Sequence, residues 1–118
     1  MSESRFETIF ENSPIGIELY DKNGALLEIN QACLDIFGVI DPEEAQGFKF
    51  FDDPHMSDDT LEKLNKGESA KFEVAFDFEV IKSLGLYKTR KSGISYLDVL
   101  VTPLKKNDEI SGYMVHIQ

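Results

Sequence analysis

An apolar run from Ala25 to Ile29 passes without a linker into Asn30-Gln31-Ala32-Cys33-Leu34-Asp35-Ile36-Phe37-Gly38, and Asp41-Pro42-Glu43-Glu44 follows closely. A strand therefore ends where a helix begins. Asn30 has the side-chain oxygen to cap that helix, Leu34 and Phe37 share one of its faces, and Gly38 suits the left-handed position after the last turn. Asp41 with Pro42 at the first helical position starts a second short helix. Asp21-Lys22-Asn23-Gly24 just upstream reads as a hairpin turn, which pairs Ala25 to Ile29 back onto a strand from Ile15 to Tyr20.

The same rules extend in both directions. Ser4-x-x-Glu7 opens the chain as a capping box, and Phe6, Ile9 and Phe10 follow at helical spacing, so residues 1–12 form a short amphipathic helix that Ser13-Pro14 ends. Ser57 caps a later helix carrying Leu61 and Leu64 before Gly67. From Ala70 to Ile81 the alternation of Phe72, Val74, Phe76, Phe78 and Val80 with polar neighbours predicts one half-buried strand. Ser83 to Gly93 is then a long polar hairpin connection. Ile94 to Leu104 and Ile110 to Ile117 are the last two strands, and Leu100, Ile110 and Met114 place apolar residues on their outer face too. The initial helix or a partner chain is expected to cover that face.

At 118 residues the chain is one domain, 1–118, with a modest core. A net charge of −10 repels phosphate backbones and anionic lipid, which argues against nucleic-acid binding and direct membrane contact. One cysteine excludes an internal disulfide and fits a reducing compartment. No apolar run approaches the ~20 residues needed to span a bilayer, so a cytoplasmic domain is expected. Charge is uneven: Lys82 to Lys106 holds six basic residues against Asp98 alone. That segment is either a docking patch for an acidic surface or a solvated hairpin, and surface charge is usually solvation.

Taken in order, Ile15-Gly16-Ile17, Asn30 to Gly38, Pro42-Glu43-Glu44 with Gly47, Asp53 and Pro54, Gly67-Glu68, Lys91-Ser92-Gly93, Tyr96 to Val99, Thr102-Pro103-Leu104 and Gly112 to Val115 resemble a PAS domain. The resemblance implies an α+β fold: a five-stranded antiparallel sheet with short helices on one face, here over residues 13–118. Two departures stand out, the long connection from Glu79 to Lys91 and the lack of the usual exit helix. The resemblance implies a non-catalytic input domain of a prokaryotic signal-transduction protein, most often a histidine kinase, with the output domain covalently linked. No phosphoacceptor helix, ATP lid or phosphate loop of an enzyme is present in the sequence.

Candidate chemistry is sparse. Light-oxygen-voltage members carry an Asn-Cys-Arg-Phe-Leu-Gln-like motif on a later helix, but that region reads Gln46-Gly47-Phe48-Lys49-Phe50-Phe51, which argues against flavin. Haem-binding members use a helix histidine, whereas His55 precedes its helix in a loop where exposure is expected, with no propionate-binding arginine in evidence. The pairs Asp52-Asp53 and Asp58-Asp59 lack calcium-loop spacing. What remains is aromatic: Phe37, Phe50, Phe51, Phe76 and Tyr113, with Cys33 and His116 as polar groups, are the candidate lining of a pocket for an unidentified small apolar or aromatic ligand. A closed aromatic core is the competing reading. The alternative function is a ligand-free interaction module, a homodimer formed through Phe6, Ile9 and Phe10.

Overall fold

A computed structural model describes residues 3–118, with side chains from Arg5 onward, so the expected Ser4 cap lies outside the described residues. The order is α1 (Glu3–Asn12), β1 (Gly16–Asp21), β2 (Leu26–Ile29), α2 (Gln31–Phe37), α3 (Pro42–Ala45), a 3-10 turn (Phe50–Asp52), α4 (Asp58–Asn65), β3 (Ala70–Asp77), α5 (Phe78–Leu84), β4 (Ile94–Lys106) and β5 (Glu109–Ile117). The five strands form one antiparallel sheet in the order β2-β1-β5-β4-β3. This is the α+β arrangement expected from the sequence.

The local signals behave as chemistry dictates. Asp21 Oδ1 accepts from the amides of Asn23 and Ala25 and closes the β1–β2 turn. Asp41 and Ser57 accept from Glu43 N and Thr60 N at the starts of α3 and α4. Gly38 ends α2 at φ 62°, a conformation that glycine adopts without strain.

Asn30 does more than cap. Its Oδ1 accepts from Cys33 N at 3.1 Å and from Ile17 N at 2.9 Å, while Nδ2 donates to Phe10 O at 2.9 Å and Ile15 O at 3.0 Å. One fully buried amide thus joins α1, the residues before β1, β1 and α2. Gly16 completes the fit, because a Cβ there would stand 2.8 Å from Cys33 Sγ and 3.2 Å from Ile36 Cδ1. α2 can therefore lie close on β1.

The strand expected through Ile81 stops at Asp77. Asp77 Oδ1 accepts from Glu79 N, Phe78 and Ile81 are buried three apart on one helical face, and Gly85 ends the turn at φ 63°. The alternating pattern ran on by coincidence into α5, where a cap overrides it. The connection after α5 keeps Lys88, Arg90, Ser92 and Gly93 exposed, as a solvated segment would, but it is also bonded back to α2. Arg90 N donates to Gly38 O and Ile40 N to Lys88 O, while Tyr87 Oη and Thr89 Oγ1 both donate to Phe37 O. The segment seals the carbonyl end of α2. It also divides the basic run: Arg90 Nη2 is spent on Val39 O, and the length of β4 separates Lys91 from Lys105 and Lys106.

α1 packs beside α2, with Phe10 buried. The outward residues of the sheet, Ile17, Leu19, Leu100 and Met114, are half-buried.

Asn30→Ala would orphan two amides and two carbonyls in the interior. Urea unfolding should show it destabilised by roughly 3–5 kcal/mol, against less than about 0.5 kcal/mol for the exposed Gln31→Ala.

Candidate functional site

β1 reads Gly16-Ile17-Glu18-Leu19-Tyr20, and alternation alone would turn its aliphatic residues inward. The opposite holds. Ile17 and Leu19 pair with His116 and Met114 on the outer face, while Glu18 and Tyr20 pair with Val115 and Tyr113 on the inner one. The Asn30 clamp and the register with β5 decide the facing.

Glu18 is consequently a carboxylic acid inside an apolar core, only 7% exposed. Tyr20 Oη donates to Glu18 Oε1 at 3.0 Å, and the second oxygen has no hydrogen-bond partner among the described residues. Burial pushes the carboxyl up from 4.5 to about 7; the Tyr20 bond opposes this and the nearby Asp53 reinforces it. Burial together with the Glu18 charge also raises the Tyr20 phenol.

Two spaces of ≈ 50 Å³ each adjoin this pair. Glu18, Tyr20, Asp53 and Phe76 border both. Phe50, His55 and Met56 line the first with the β3–β5 side chains, and Phe37, Val39, Phe48 and Tyr87 line the second. Each is well below the cavity of about 150 Å³ that admits benzene.

His55, expected to be exposed, is only 14% so in its side chain. Asp53 Oδ1 accepts from both its backbone N and its Nδ1 at 2.8 Å, Asp77 N donates to its Nε2 at 3.0 Å, and the ring stacks on Phe76 at 4.3 Å. The Asp77 amide makes Nε2 an acceptor and leaves Nδ1 to donate. Both ring nitrogens are engaged.

Of the residues singled out in the sequence, Phe37, Phe50 and Phe76 line the two spaces. Phe51 and Tyr113 stand one layer back, edge to face with one another; Tyr113 is also edge to face with Phe50, and Phe51 is tilted against it. Cys33 is buried on α2 against Gly16, its thiol pushed up by burial. His116 is carried to the outer face by strand parity, beside Ile15, Lys71 and Leu100, with Nδ1 buried and unpartnered among the described residues. Glu18 was missed. Among the described residues there is no group of three or more His, Cys, Asp or Glu able to hold a metal, and no helix long and apolar enough to cross a membrane.

A family model described as PAS domain matches residues 4–69. The chain belongs to the PAS domain family. Solved structures agree on the fold. The PAS domain of an HTR-like protein from Haloarcula marismortui superposes with a TM-score of 0.68 at 24% identity, covering 98% of this chain and 88% of that one. A PAS domain of a protein from Colwellia psychrerythraea gives 0.71 at 15% identity, over 98% of this chain and 93% of that one. One from a two-component sensor histidine kinase gives 0.69 at 16% identity, over 100% and 98%. No curated protein matches the chain. This PAS domain thus joins a family whose members are generally non-catalytic.

Raising a carboxyl pKa on folding means the native state binds the proton more tightly. The stability from protonated Glu18 is full below pH 4.5 and is lost as pH rises to about 7, a difference of about 3 kcal/mol. Urea midpoints of Glu18→Gln minus those of the native sequence should therefore grow across this window and level off above it. A pH-independent difference would contradict the raised value.

Proposed function

We propose that this PAS domain is the non-catalytic input of a larger signalling protein and senses a small molecule in the two spaces that flank Glu18 and Tyr20. The PAS domains it resembles point to a histidine kinase as the parent and to a covalently linked output domain. The observation that carries the reading is a nearly buried carboxyl, hydrogen-bonded among the described residues to Tyr20 alone, beside cavities in an otherwise aromatic core. Burying such a group costs stability, which a ligand that satisfies it would return. Phe37 and Val39 connect the second space to the segment that seals α2, so occupancy would bias the packing of α2 against that segment. The bias equals the ligand's differential affinity for the two packings.

A second reading, homodimerisation, draws on α1. Phe6 and Ile9 are 43% and 57% exposed, whereas Phe10 is spent inside its own domain, its carbonyl bonded to Asn30. Removing residues 1–12 would damage the fold through that bond, so point changes are the cleaner probe.

Proton–nitrogen correlation spectra recorded with neutral, anionic and cationic fragments should show saturable shifts at Glu18, Tyr20 and Phe76 for at least one class. Silence from every class would reject the ligand reading. In native mass spectrometry, a dimer that becomes a monomer in a folded Phe6→Ser, Ile9→Ser variant would establish the interface; an unchanged mass would remove it.

A further inference from the structure

Buried charges in proteins are paired, and among the described residues Glu18 makes no ion pair with a cationic side chain. The titratable groups around it are Tyr20 on its own strand, Cys33 from α2, Asp53 and His55 from the segment before α4, and Tyr87 from the segment after α5. Tyr20, Cys33 and Tyr87 are held neutral by burial. Asp53 adds negative potential, and His55 spends one nitrogen on Asp53 and the other on the Asp77 amide. No lysine or arginine borders either space.

The walls favour the same sign of guest. Tyr20, Phe50 and Phe76 line the space beside the carboxyl, and aromatic rings attract cations, the more so when water is excluded. An anion would meet Glu18 and Asp53 on a chain of net charge −10. A neutral donor would satisfy the second oxygen but leave the charge uncompensated. Size then excludes anything much larger than a short alkyl compound.

We propose that the two spaces around Glu18 form a receptor for a small organic ammonium ion, its N–H groups bonding the second Glu18 oxygen and its carbon skeleton lying among Tyr20, Phe50 and Phe76. This rests on the reading of the cavity as a ligand site and names the ligand's chemical class. Binding requires ionised Glu18. Since an alkylammonium ion stays charged to beyond pH 9, affinity should fall about thirtyfold from pH 8 to pH 5.5 as the proton competes for the carboxylate.

The test is a set of titrations of the whole chain, followed by proton–nitrogen spectra, with n-butylammonium, 1-butanol and butanoate. At pH 8 butylammonium should saturate and shift Glu18, Tyr20 and Phe76, with butanol at least tenfold weaker and butanoate without effect. Glu18→Gln should lose at least tenfold for butylammonium while its weak binding of butanol persists. The pH series on the native sequence gives the same information without any substitution. Butanol binding as tightly as the amine, amine affinity unaltered in Glu18→Gln, or a flat pH profile would overturn the proposal and leave a cavity for neutral ligands. Saturation by butanoate alone would do the same in favour of anions. No saturable shift with any of the three up to tens of millimolar, together with silence from the wider fragment set, would overturn the ligand site itself.

Discussion

A single buried amide ties α1 and α2 of this PAS domain to β1. Asn30 places two acceptor bonds on Ile17 and Cys33 and two donor bonds on Phe10 and Ile15, so four segments are fixed with respect to one side chain. Its energetic weight comes from burial, since each partner would otherwise be a polar group without water. The bond to Ile17 N has a wider effect. It helps hold the rotation of β1, and with it the direction in which Glu18 points.

The inward carboxyl gives the core its character. Phe50 packs edge-on against Tyr20 and Tyr113, and Phe76 packs against Phe37, Phe78 and His55, so the interior is aromatic and closely filled. Into this the fold inserts an acid whose phenolic partner satisfies one oxygen. Hydrophobic packing alone would favour an aliphatic residue at position 18. A polar group retained at such cost is where sensing chemistry is to be sought, and it lies in the half of the chain matched by the family model.

Much of the architecture was legible because it is written locally. Asn30, Asp41 and Ser57 cap the helices that follow them, Gly38 stops α2, and Asp21 to Gly24 turn the first hairpin, each decided within a few residues. Asp77 is the instructive exception, a cap set inside a perfect alternation and read as one more outward strand position. The site was harder because its parts are set at a distance. Which face of β1 looks inward depends on β5, almost a hundred residues further along. His55 gains its role from Asp77, and the seal on α2 comes from Tyr87 and Thr89, about fifty residues away. The aromatic lining was visible as composition, but the acid it surrounds was not.

The order of the strands carries one more implication. β5 is the last of the five along the chain and the middle one in the sheet, bonded to β1 on one side and β4 on the other. Until it is seated, β2–β1 and β3–β4 are separate two-stranded ribbons, each marginal in water by itself. Assembly of the sheet therefore awaits β5, and the two ribbons stay unjoined until it is seated. In the finished domain, a small slide of that one strand is felt simultaneously by the hairpin bearing Glu18 and by the hairpin bearing Phe76.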